Sequence, residues 1–264
     1  MEFISVKKRV VVNADDFGWH KQVTDAILEC FANGTISQST LLVNMPYCEM
    51  AVERARVAGV ENRIGLHLNF TDGEPLTVPI RGVSEVCDES GKFRRHTFGN
   101  GLAPLNGRIA EAIRTEARAQ IEKYCSLSLP LMHCDGHHHV HNRLQFAYII
   151  LPLLKEFGFK SVRNRYSIFT RPWIRGIRGR IRIGVFETLV RHYGLQTTSG
   201  FGGWEGESLM RWSAFPSVEL MVHPNYDTAG RNVNITDFGK VEGPEMRELK
   251  KCLDAFEFNR NAIA

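Results

Sequence analysis

Three consecutive valines, Val10 to Val12, run into a pair of acids, Asp15-Asp16, and this stretch constrains the fold more than any other. A continuous β-branched run suits a parallel strand buried on both faces. Parallel strands need crossover helices, and the sequence supplies them. Lys21 to Asn33 has apolar residues at helical spacing and Gly34 just past its end. Ser39 to Asn44 reads as a second strand, Tyr47 to Ala58 as a second helix, and Ile64 to Phe70 as a third strand. Strand and helix in alternation, with short connections, indicate parallel βα units. The remaining expected elements are helices at Asn106 to Tyr124, Leu144 to Phe157, Gly184 to Tyr193 and Pro244 to Phe256. Strands are expected at Leu129 to Met132, Lys160 to Arg163, Gln196 to Gly200 and Val218 to Pro224. At 264 residues the chain suits one undivided α/β domain spanning 1–264, the size of a (β/α) barrel, with about seven parallel strands.

Polar residues gather where these strands end. The stretch from His133 to His141 holds five of the ten histidines in nine residues, with Asp135 among them. Neutral imidazole is the commonest protein metal ligand. His67 interrupts an apolar strand, and His223-Pro224 closes another. In a barrel, the carboxyl ends of separate strands converge on one mouth, where catalysis takes place. One carboxylate with two imidazoles forms an open three-ligand set of the catalytic kind. Adjacent strand residues point to opposite sides, so one acid of the pair is free for proton transfer while the other holds metal.

Composition excludes little but narrows the class. The net charge of +4 points to neither nucleic acid nor a membrane surface. No apolar run approaches a membrane span, and no signal peptide is visible. The six cysteines lack close-paired spacing, so a reducing cytoplasm is the expected location. Gly73 to Pro104 reads as a long irregular loop on the substrate side, with a basic patch at Lys92 to His96. Arg163 to Arg182 is rich in arginine, with Phe169 and Trp173 interleaved. Such a stretch either grips an anion or forms a solvated face. Gly200 to Trp204 reads as a glycine loop flanked by aromatics.

The blocks Asn13-Ala14-Asp15-Asp16-Phe17-Gly18, Gly65-Leu66-His67-Leu68-Asn69, Asp135-Gly136-His137-His138-His139-Val140-His141 and His223-Pro224 resemble the signature blocks of the YdjC-type carbohydrate deacetylases. That family includes chitooligosaccharide deacetylases. The resemblance implies an α/β fold of the incomplete or distorted (β/α) barrel kind, and removal of the N-acetyl group from an amino sugar with one divalent metal ion, Mg2+ or Zn2+. It assigns Asp16, His67 and His137 to the metal, Asp15 to the catalytic base and His223 to the acid. Asp135 is placed to orient a ligand. His139, His141 and Arg163 are expected around the ligands or against substrate. The expected partner is an N-acetylated sugar or oligosaccharide, either neutral or anionic and carrier-linked, and a homodimer is compatible with the sequence. Two other readings stand beside this one: a metal-dependent phosphoesterase acting on a sugar phosphate, and a sugar- or metal-binding module without turnover.

Overall fold

The computed structural model describes residues 9–95, 101–105, 107–165, 172–204, 215–236 and 241–254. Strand β1 (Arg9–Phe17) is buried from Val10 onward. It pairs in parallel with β2 (Gln38–Leu41) on one side and with β7 (Ser217–Val222) on the other. The sheet continues through β3 (Ile64–Leu68), β4 (His133–Gly136) and β5 (Ser161–Val162), and ends beyond β7 with β6 (Gly200–Gly203). The strand order is β5-β4-β3-β2-β1-β7-β6, and every pairing is parallel. The sheet curls, and one parallel bridge, Ser161 with Gln196, spans the seam between β5 and the segment leading into β6. This is the seven-stranded parallel α/β architecture that the alternating pattern predicts, in the incomplete-barrel form that the family resemblance implies.

Helices clothe the outside. α1 (Lys21–Ala32) starts on His20, whose Nδ1 accepts from the Val23 amide. It stops at Gly34, whose φ of +74° suits a residue without Cβ. α2 (Cys48–Val57) has Glu49 in its first turn and Arg54 and Arg56 in its last, matching the helix dipole. α4 (Gly107–Ser126), α5 (Leu144–Glu156) and α6 (Pro172–His192) follow the short α3 (Val78–Arg81). α5 is almost wholly apolar because α4 and α6 flank it. Its Phe146, Ile150, Leu151 and Leu154 are buried in one core with Ile113, Ile121 and Phe186. No helix among the described residues is long and apolar enough to cross a membrane.

Several elements differ from the sequence expectations. The strand expected at Leu129 to Met132 forms at His133–Gly136 instead. Pro130 lacks the N–H that a ladder requires, so pairing starts beyond it. The histidine stretch is therefore itself a strand before it turns. The expected loop at Gly200 to Trp204 is strand β6, while Gln196 contributes only the seam bridge. Partnership with β7 overrides the weak strand preference of glycine. Gly73 to Pro104 is largely packed: Ile80, Val83, Val86 and Phe93 are buried, and the Phe93 ring lies 5.8 Å from that of Phe70. Residues 96–100 of that stretch, including His96, lie outside the described residues. The arginine-rich stretch is mostly helix, since α6 begins at Pro172. Phe169, Arg171 and the side chains of Trp173 and Arg175 lie outside the described residues. A three-stranded antiparallel sheet was not anticipated: β8 (Pro224–Tyr226), β9 (Asn232–Thr236) and β10 (Val241–Glu245). It sits beside α1, and Tyr226 donates to Glu29 Oε2 at 2.8 Å. α7 (Met246–Asp254) packs against it through Met246, Leu249 and Leu253.

Candidate metal and catalytic centre

β1 ends in a distortion. Its register with β2 shifts between Ala14 and Phe17, and Asp16 adopts φ +70°. Beyond β4 the chain makes a tight turn in which His138 and His139 have φ +50° and +56°. Among the described residues four non-glycines have positive φ, and three of them are these. Such conformations cost about 1–3 kcal/mol each and gather at functional sites. Here Asp16 faces His67 and His137, while His138 and His139 are carried aside.

Asp16, His67 and His137 each offer a buried ligand atom, and the three atoms lie within 4.8 Å of one another. Asp16 Oδ1 is 2.8 Å from His137 Nδ1 and 3.2 Å from His67 Nε2. Neither contact has hydrogen-bond alignment, so a buried carboxylate oxygen faces two imidazole nitrogens without a satisfied bond. A divalent cation suits that arrangement, and this donor set fits one. Behind it, His67 Nδ1 lies 2.6 Å from Asp135 Oδ1. With the proton on Nδ1 the imidazole presents its Nε2 lone pair to the site. Thr40 Oγ1 donates to Asp135 Oδ2 at 3.1 Å and holds that acid in turn. The Trp19 ring stands edge-on to His137, 5.6 Å between centroids.

Asp15 occupies a separate pocket. Arg163 grips it with both terminal nitrogens, Nη1 to Oδ2 at 2.7 Å and Nη2 to Oδ1 at 2.6 Å. Asn13 Nδ2 adds a third donor to Oδ1 at 2.7 Å. The guanidinium also meets Asp135 Oδ2 at 2.6 Å and Glu219 Oε1, through Nε, at 2.6 Å. Arg163 is wholly buried, below the mouth, and does not present its charge to solvent. His223 Nε2 lies 4.0 Å from Asp15 Oδ2, with about a third of its side chain exposed. Asn234 of β9 accepts from the His223 amide, so the small sheet positions this histidine.

The charges follow from these contacts. Burial alone raises the Asp16 carboxyl, but His137 and then His67 outweigh it and hold the acid well below its usual range. Burial lowers His67, and Asp135 reverses this, pushing the imidazole up to about 10. A metal must therefore displace a proton there. Burial raises Asp135, and Arg163 and His67 bring it below the usual value. Three histidines of the turn after β4 are kept neutral, chiefly by burial: His138 falls to about 3, His139 to about 4, and His141 well below its usual value.

The structure thus brings Asp16, His67 and His137 together, with Asp135 behind His67. Asp15 and His223 face each other beside that group. His138 turns aside to Thr71 Oγ1 at 2.8 Å. His139 packs on Phe201 at 5.2 Å between ring centroids, and His141 is fully buried. Sequence reasoning missed Asn13, Thr40, Glu219 and Asn234. The available signal was polar residues inside otherwise apolar strands: Glu219 sits between Val218 and Leu220.

Comparison with known proteins places these observations among relatives. The profile of the family described as YdjC-like protein matches residues 9–254. A carbohydrate deacetylase of Brevibacillus brevis is 34% identical over 226 residues, 83% of this chain and 82% of that protein. One from Oceanobacillus iheyensis is 32% identical over 205 residues, 73% of this chain and 86% of its own length. One from Vibrio cholerae is 39% identical over 149 residues, 56% of each chain. A solved structure from Enterococcus faecalis V583, named for cellobiose-phosphate cleavage, aligns with a TM-score of 0.69. It covers 97% of both chains at 21% identity, a likeness of fold alone.

Proposed function

Because the chain belongs to the YdjC-like family, we propose that it hydrolyses the N-acetyl group of an amino sugar or oligosaccharide. The observation that supports this best is the separation of two adjacent acids. Asp16 faces His67 and His137, while Asp15 is held apart by Arg163. Asp16, His67 and His137 would hold one divalent ion. When bound, that ion supplies Lewis acidity, which polarises an acyl oxygen and makes water more acidic. Zn2+ suits two imidazoles and a carboxylate better than Mg2+, which prefers oxygen ligands.

The chain's own groups do the rest. Asp15, oriented by the Arg163 fork and Asn13, takes the proton of the attacking water. His223 gives a proton to the departing amine as the amide C–N bond breaks, leaving acetate and a free amino sugar. Asp135 keeps His67 in the tautomer that presents Nε2 to the site.

Two further groups of would-be ligands share this region: Asp15 with His67 and Asp135, and His133 with Asp135 and Glu219. Arg163 already bonds to two acids of each. Its guanidinium stands where a second cation would sit, which favours a one-metal amidase over a two-metal phosphoesterase. The test is acetate release from N-acetylated chitooligosaccharides, with zinc and magnesium added back separately to stripped protein. Activity is expected from the wild type, and loss of both bound metal and activity from His67→Ala and His137→Ala. Phosphate release from sugar phosphates without acetate release would overturn the reading.

A further inference from the structure

The mechanism above leaves one buried acid unused. Glu219 lies midway along β7, paired with Val11 of β1 and Phe201 of β6, and is wholly buried. A carboxylate in that position is expensive unless paired. Its Oε1 accepts from Arg163 Nε at 2.6 Å, while Oε2 has no hydrogen-bond partner among the described residues. His133 Nε2, the nearest cationic candidate besides Arg163, is 3.9 Å from Oε1.

The guanidinium is planar, with its donors in fixed directions. Its outer edge, Nη1 and Nη2, forms the fork on Asp15. Nη2 also meets Asp135. These contacts alone leave the guanidinium able to tilt, because Asp15 and Asp135 both bind at its terminal nitrogens. Glu219 binds the inner corner, Nε, from a different strand. Three carboxylates from three strands (β1, β4 and β7) then fix both the plane and the rotation of the guanidinium. The Asp15 carboxylate can hold no better orientation than the fork that grips it.

We infer that Glu219 is a positioning residue for the deacetylation proposed above: by locking Arg163, it sets the direction in which Asp15 receives the proton. Glu219 touches neither substrate nor the metal group. Its effect reaches the chemistry only through Arg163 and Asp15. The inference rests on Asp15 being the base, and one experiment separates the two claims.

That experiment is a double-mutant cycle on acetate release from N-acetylated chitooligosaccharides, using zinc-loaded full-length protein. Glu219→Gln keeps the shape and removes the charge. It is expected to lower kcat by roughly 10- to 100-fold, the scale of a misaligned catalytic group. KM and bound metal are expected to stay at wild-type values. In an Asp15→Asn background the same change is expected to alter kcat less than about twofold, because the group it orients is already disabled. A purely structural role for Glu219 would lower the rate equally in both backgrounds, and that additive result would overturn the inference while leaving Asp15 as the base. Full activity in Asp15→Asn would instead overturn the reading of Asp15 and this inference with it. Should Glu219→Gln fail to fold, Glu219→Asp, which keeps the charge but falls one methylene short of Nε, runs through the same cycle with the same expectations.

Discussion

Asp15 and Asp16 are neighbours in the chain, yet one rests against a guanidinium and the other against imidazoles. The Asp15 pocket is well paired: Arg163 and Asn13 supply three donors to its two oxygens, and Oδ2, which accepts one of them, also faces His223 at 4.0 Å. The Asp16 pocket is unsatisfied: its carboxylate faces two nitrogens with no aligned hydrogen bond. One left-handed residue, Asp16 at φ +70°, suffices to divide them. Two identical side chains thus receive different chemistry from local backbone geometry and from the strand that each happens to face.

The contrast can be broken from either side. The largest effect is expected on turnover. Asp15→Asn keeps the size but exchanges one accepting oxygen for an NH2 that takes neither the water's proton nor a bond from Arg163, so kcat is expected to fall by roughly 10²–10⁴. Steady-state acetate release measures it, and a fall below tenfold would contradict the role. Next comes stability. Arg163→Met would leave three buried carboxylates without their cation, at a cost of about 3–5 kcal/mol. Urea denaturation reads this; a change below about 1 kcal/mol would mean that the acids are satisfied otherwise.

A smaller effect is expected with pH. His141 is fully buried, neither ring nitrogen has a hydrogen-bond partner among the described residues, and burial holds its pKa well below the usual value. The unfolded chain therefore binds a proton that the folded chain refuses once the pH drops below about 6.5. Stability is expected to fall by about 1.4 kcal/mol per pH unit below that point for each such histidine. His141→Leu should flatten the slope between pH 6 and 5. An unchanged slope would show that His141 is not held neutral.

Much of the imidazole pocket was legible in the sequence, because its parts stand out locally. His67 breaks an apolar strand, and five histidines crowd into nine residues. The guanidinium pocket was far less legible. Arg163, directly after a strand, reads as a site candidate, but nothing local shows that it is buried against acids, because its partners lie 148 and 56 residues away at Asp15 and Glu219. Glu219 interrupts an apolar strand, but alternation alone does not tell a buried lone acid from one at the surface. Strand β6 hid for a related reason: Gly200 to Gly203 has no local strand preference, and only β7 makes it a strand. The small sheet of β8 to β10 is too short to show periodicity. Local chemistry is written locally; pairing between distant strands is not.

The division between the two acids is tested most directly by metal content. Purified Asp15→Asn and Asp16→Asn proteins, loaded with zinc and dialysed together with wild type, would be measured by elemental analysis. Asp15→Asn is expected to retain about one ion per chain, as wild type does, because Asp15 belongs to the guanidinium pocket. Asp16→Asn is expected to lose most of its metal and to regain part of its activity in excess zinc. Loss of metal from both variants alike, or from Asp15→Asn alone, would contradict the separation of roles.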